Sequence, residues 1–202
     1  PEIADYVKLR KAILKGDGDF LDNRVEPSRD RAHSGEQSRR CEAVAPSFSM
    51  VTSKASLDTE LIHFKRGDRV HYSGWYWFDN EIDWGTLMDL ETVWIKQHPG
   101  PRIFVNNGRL GVELKWADKP TWKQIGDSTL PLHQWVHIEG EFLLDDRNGE
   151  VKLWRDGKLM VEGKGQTLPL ADTVLNSLEV GLSATQTDTV LYVDDIEIKR
   201  LP

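Results

Sequence analysis

Three dipeptides in the second half, Asn107-Gly108, Asn148-Gly149 and Asp156-Gly157, constrain the fold of this chain more than any other feature. Each joins a residue that tolerates positive φ to a glycine, which is what a two-residue hairpin turn demands. Each is also flanked by runs of strand character. Arg102–Val105 and Arg109–Trp116 surround the first, and Trp135–Leu144 and Glu150–Arg155 the second. The third joins that last run to Lys158–Glu162. Antiparallel β structure follows. Two more strands are expected at Ser177–Ser183 and Val190–Lys199.

The first half continues the pattern. Phe20–Val25 and Arg40–Val44 read as strands, and Arg69–Phe78 as the central one. In that central run Val70, Tyr72, Gly74, Tyr76 and Phe78 share one face, while His71, Ser73, Trp75, Trp77 and Asp79 share the other. Val93–His98 repeats the arrangement, with Trp94, Lys96 and His98 on one side. Residues 1–16 carry an apolar stripe, acidic groups first and basic groups last, and end on Gly16, so they predict a short amphipathic helix. Residues 17–202 then form one domain: an all-β, antiparallel two-sheet sandwich.

Composition removes several function classes. With a single cysteine, Cys41, the chain has no internal disulfide and no thiolate metal cluster. No apolar run reaches the roughly 18 residues of a membrane span. A net charge of −7 argues against nucleic acid as a partner. The charge is uneven, however: between Trp94 and Gly126 the basic residues Lys96, Arg102, Arg109, Lys115, Lys119 and Lys123 outnumber Glu113 and Asp118. There is no Gly-x-Ser-x-Gly elbow, phosphate-cradling glycine loop or His-Glu-x-x-His helix. Glu81-Ile-Asp83 begins a glucanase-like acidic strand, but Thr86 stands where its last glutamate would fall. No single strand offers the carboxylate pair of a retaining glycosidase.

Two sets of residues carry a family resemblance. Gln134–Glu141, Gly149–Leu159, Leu178–Leu182 and Leu191–Ile198 resemble the closing strands of concanavalin A-like (laminin G-like) jelly rolls. Arg40-Cys-Glu, Phe64–Ser73, Val93–His98, Pro101–Val105 and Gly108–Val112 resemble the heparin lyase and glucuronan lyase type of polysaccharide lyase. The resemblance implies an extracellular or periplasmic protein acting on an acidic, uronate-containing polysaccharide by β-elimination. Such lyases commonly carry Gln-x-His facing the substrate; here the run reads Lys96-Gln97-His98.

Elimination needs a base for the C5 proton, a partner that neutralises the neighbouring carboxylate, and an acid for the leaving oxygen. His98 or His71 is the expected base. Lys96 or Arg40 pairs the carboxylate, and Tyr192 moves the second proton. Trp75, Trp77 and Trp94, with Gln97, hold the sugar. Related jelly rolls often carry a structural calcium ion, and Asp194-Asp195 are the expected ligands together with the 17–26 region. Adjacent strand residues point oppositely, so one of that pair would ligate. A non-catalytic carbohydrate-binding module on the Trp75/Trp77/Trp94 face, and an adhesion or scaffold domain, are the alternatives.

Overall fold

The computed structural model describes residues 8, 11, 12, 14, 15, 22–46, 53–60, 63–92, 100–115 and 120–202. Two antiparallel sheets face each other. The seven-stranded sheet runs, edge to edge, β1 (Arg24–Ser28), β2 (Ser38–Ala43), β13 (Thr189–Leu201), β4 (Arg69–Phe78), β9 (Trp135–Leu143), β10 (Gly149–Arg155) and β11 (Lys158–Gly165). The six-stranded sheet runs β3 (Ser53–Thr59), β12 (Ser177–Thr185), β5 (Trp84–Glu91), β6 (Pro101–Asn106), β7 (Arg109–Leu114) and β8 (Thr121–Lys123). The C-terminal strand therefore sits between β2 and β4. This crossing of first and last strands is the jelly-roll arrangement that the sequence leads one to expect. Of the expected helix over residues 1–16, residues 8, 11, 12, 14 and 15 are described, the first four in helical conformation; the rest lies outside the described residues, and a helix across the whole stretch is not established.

Alternation drives the layering. On β4, Val70, Tyr72, Tyr76 and Phe78 are buried against Ile103 and Val105 of β6 and against Leu87, Met88 and Leu90 of β5 in one core. Val136, Ile138 and Phe142 of β9 and Val151 and Leu153 of β10 extend that core. Each such side chain contributes roughly 1.5–3 kcal/mol when taken fully out of water. Tyr72 and Tyr76 bring two hydroxyls into the interior and satisfy them on one another, and Tyr76 also reaches the Leu87 carbonyl at 3.4 Å. Burial pushes both phenols well up, so both stay protonated at neutral pH. Cys41 is buried in the same core, as a small hydrophobe.

The hairpin turns divide. Asn107 and Gly108 have φ of 48° and 71°, and Asp156 and Gly157 have 50° and 74°, the paired positive angles of a type I′ turn. Asn148-Gly149 differs. Gly149 lies inside β10, opposite Gly165, and the connection is instead Leu144–Asn148. Asp145 closes it: its Oδ1 accepts from the Arg147 and Asn148 backbone N–H groups, both at 2.8 Å. Glycine is required at 149 for space, since a Cβ there would stand 2.0 Å from the Thr167 hydroxyl. Trp84–Glu91 is a strand that the turn signals do not announce, because no Gly-containing dipeptide of the hairpin type precedes it.

Candidate functional site

A two-sheet sandwich has two outer faces, and the described residues singled out by sequence fall on the seven-stranded one. Trp94, Lys96, Gln97 and His98 lie outside the described residues. The described residues that flank them belong to the six-stranded side, where the Gly100 N–H donates to the Leu90 carbonyl at 2.7 Å. His71, Trp75, Trp77, Tyr192 and Arg40 are placed on the outer face of the seven-stranded sheet. In register, Trp77 is opposite Tyr192 and Trp135, and Trp75 is opposite Asp194 and His137.

That first face is largely occupied by its own chain. The loop after β1 returns over it. His33 stacks on Trp75 at 3.7 Å between ring centroids, and His137 stacks on the same indole at 4.7 Å. The Arg31 guanidinium lies 4.7 Å above Trp77 and 5.8 Å from the Tyr192 ring. The Trp77 indole N–H donates to Asp79 at 2.7 Å. Arg40 is held by Glu42 at 2.5 Å, which keeps it firmly charged. Tyr192 is buried. His71 stands 3.7 Å from Glu139, and its buried Nδ1 has no hydrogen-bond partner among the described residues.

Asp194 and Asp195 hold that loop down. Asp194 Oδ2 accepts the His33 and Ser34 backbone N–H groups at 2.9 and 3.2 Å. Its Oδ1 accepts the Asp195 N–H at 3.0 Å. Asp195 takes the Ser34 hydroxyl at 2.6 Å and His33 Nδ1 at 2.7 Å, and these two contacts lower its carboxyl below the ordinary range. Strict alternation would have sent the two side chains to opposite faces. A β-bulge between Asp194 and Glu197, with Asp195 at φ 48°, turns both toward the same loop. All four oxygens accept hydrogen bonds from the loop or the adjoining backbone. Residues 17–21 of the expected partner region lie outside the described residues.

The second face, on the six-stranded sheet, carries groups that the sequence reading missed. One register row runs across five strands: Asp58, Glu179, Asp89, Arg102, Glu113. Glu91, two residues beyond Asp89 on β5, points the same way. One carboxylate oxygen each from Asp89, Glu91 and Glu179 lie within 4.8 Å of one another. Lys115 supplies the nearest cation, with Nζ 2.5 Å from Glu91 and 3.6 Å from Asp89. Glu179 is better served. Lys54 reaches it at 3.2 Å and the Ser56 hydroxyl at 2.6 Å.

These differences set the charge states. Burial pushes Glu179 up, but Lys54, with Ser56, more than reverses this and leaves it below the ordinary range. Lys115 is pulled down by burial and raised further by Asp89 and Glu91, so it stays protonated. Asp89 is 1% exposed, and neither of its oxygens has a hydrogen-bond partner among the described residues. Burial raises it most, Lys115 offsets part of that, and Glu91 adds to it; the carboxyl is pushed up to about 6.

The same face continues toward aromatic and basic groups. Arg102 is paired with Glu113 through Nε at 2.6 Å, and its guanidinium lies 5.6 Å from the Trp84 ring. Trp84 stacks on Phe104 at 4.9 Å. Beside them opens a cavity of about 560 Å³ lined by Phe104, Arg109, Lys123 and Gln124. The signal for this site was present in the sequence. In Leu87-Met-Asp-Leu-Glu91 two acids stand at i and i+2 inside an apolar run, a pattern that is costly on a buried strand. Glu179 sits in a similar run, Leu178-Glu-Val-Gly-Leu.

No protein-family model and no curated protein sequence matches the chain. Solved structures do. An endo-β-1,4-glucuronan lyase from the fungus Trichoderma reesei superposes with a TM-score of 0.71 at 13% identity, over 89% of this chain and 90% of that one. The alginate lyase from Klebsiella pneumoniae gives 0.60 at 8% identity, over 83% and 82%. The botulinum neurotoxin serotype D binding domain gives 0.54 at 13% identity, over 92% of this chain and 44% of that one. At these identities the shared property is the fold, which is that of jelly-roll polysaccharide lyases.

Proposed function

We propose that the protein binds an acidic, uronate-containing polysaccharide across the outer face of the six-stranded sheet and cleaves it by β-elimination. The observation that carries this reading is the charged row across β12, β5, β6 and β7, ending beside a cavity with Phe104, Arg109 and Lys123 at its wall. Solved proteins of this fold include lyases of glucuronan and alginate. In this reading Arg102 and Lys115, which are paired with Glu113 and Glu91, are the cations that would neutralise a substrate carboxylate. Trp84, half-buried and stacked on the buried Phe104, offers apolar surface for a sugar ring, and Lys123 and the Asp127-paired Arg109 line the cavity beyond.

His98 and Lys96 are the base and its partner in this reading, because they follow β5 in the chain. His71, Tyr192 and Arg40 serve in the same way only if the substrate instead lies on the opposite face. An extracellular or periplasmic location goes with such a substrate. A second reading, glycan binding without cleavage, is favoured by one observation: the described strand of the site presents Asp89-x-Glu91, two carboxylates that would repel a uronate.

The test is ultraviolet absorbance on a panel of uronate polysaccharides, with wild type, Arg102→Gln and His98→Ala. Elimination creates a conjugated double bond that hydrolysis does not. A rise that falls at least tenfold in both variants supports the reading. A flat trace with retained polysaccharide binding refutes cleavage and leaves the binding module.

A further inference from the structure

We infer that Asp89, Glu91 and Glu179 form a calcium site, through which the carboxylate of the glycan is held. The inference rests on the proposed substrate, since three carboxylates set against Lys115 and Lys54 still carry a net negative charge that repels an anionic chain, and a bound divalent cation would offset it. Two observations point to an ion. The three carboxylates converge within 4.8 Å. Within that cluster Asp89 is buried to 1% exposure, and among the described residues neither of its oxygens has a hydrogen bond. A buried carboxylate is ordinarily satisfied by donors, whereas among the described residues Oδ2 of Asp89 meets the Lys115 ammonium at 3.6 Å without a hydrogen bond.

The donor set is all oxygen and all anionic, which selects a hard cation. Calcium accepts irregular geometry and keeps open positions for outside oxygens, whereas magnesium demands a near-ideal octahedron. Two neighbouring strands supply the three groups, β5 with Asp89 and Glu91 and β12 with Glu179, so their spacing is fixed by the sheet and not by a loop. Lys115 competes, since its ammonium is at 2.5 Å from Glu91 and 3.6 Å from Asp89. An entering ion moves Lys115 aside and leaves its charge free to meet the substrate. The site thus exchanges one internal cation for one that can also bind an outside carboxylate.

The experiment is calcium binding to the chelator-treated whole chain, by calorimetry and by melting temperature, with magnesium as the control. With an affinity in the range of extracellular calcium modules, about 10 mM calcium raises Tm by about 5 °C. The rise disappears in Asp89→Asn and Glu179→Gln. It persists in Asp195→Asn, which removes a charge from the other acidic pair. It is larger in Lys115→Gln, where the competing ammonium is gone. Oligouronate binding, measured separately, strengthens at least tenfold with calcium. Absence of a calcium effect, or an effect that survives Asp89→Asn and Glu179→Gln, overturns the site. Calcium-independent oligouronate binding overturns the bridging role. Calcium and glycan binding without cleavage leave this inference standing and refute the elimination reading alone.

Discussion

Replacing Asp89 by asparagine is expected to make the protein more stable at neutral pH. The side chain is fully buried, and asparagine copies the shape of the protonated acid. Its amide hydrogens have acceptors at hand in Glu91 and Glu179. The Asp89 carboxyl is pushed from the ordinary 3.8 up to about 6. At about 1.4 kcal/mol per unit, holding it ionised in the folded state costs about 3 kcal/mol. That cost has a definite pH range. Below about pH 4 the group is protonated in both folded and unfolded chains and nothing is lost. Between about pH 4 and 6 the folded chain binds more protons than the unfolded one, so wild-type stability falls as pH rises. Asparagine has no proton to lose. Urea unfolding in chelator, followed by tryptophan fluorescence, should therefore show the variant ahead by about 2–3 kcal/mol at pH 7.5, or about 5–10 °C in Tm. The gap should close toward pH 4. A variant that is less stable at pH 7.5, or a gap that does not change with pH, would refute the reasoning.

Lys115→Met should act in the opposite sense, since it leaves three converging carboxylates without their nearest cation. Urea unfolding in chelator at pH 7.5 should show a loss of about 3–5 kcal/mol, partly recovered by adding Asp89→Asn. Gly163→Ala should cost about 1–3 kcal/mol in the same assay, because the new Cβ would stand 1.8 Å from Cδ1 of Trp122, which caps the edge of the sandwich there. Asp195→Ala should free the loop that carries His33. Amide exchange at residues 33–36 should quicken, while global stability changes by about 1 kcal/mol or less. Because its contacts lower the Asp195 carboxyl, the wild-type loop should loosen only as pH falls below the ordinary carboxylate range.

The sheets were legible because their signals are local. Period-two alternation places Val70, Tyr72, Tyr76 and Phe78 inside and His71, Trp75 and Trp77 outside without any knowledge of partners. Asn107-Gly108 and Asp156-Gly157 specify their own turns. Asn148-Gly149 misled because the glycine there answers a crowding neighbour, Thr167, which is distant in sequence. The site was less legible for the same reason. Asp89 and Glu179 lie 90 residues apart by their numbers and become neighbours only through the β12–β5 register. The bulge that turns both Asp194 and Asp195 toward one loop likewise has no signature in two adjacent aspartates.

The two outer faces also differ in how far each satisfies its own groups. The seven-stranded face holds Trp75 and Trp77, which the sequence offers as a sugar platform, beside Trp135 and Tyr192. In the folded chain His33, His137 and Arg31 already stack on those rings, and Asp194 and Asp195 hold the covering loop in place. A surface that satisfies itself gains little by binding anything else. The six-stranded face is different. There Asp89 is buried without a hydrogen bond among the described residues, and burial raises its carboxyl, a cost that asparagine is expected to remove. Selection for stability alone gives no reason to keep that group, whereas a site that must meet a cation or a proton does. The buried carboxylate, more than the half-covered indoles, is therefore the physical argument that supports the proposed site on the six-stranded face.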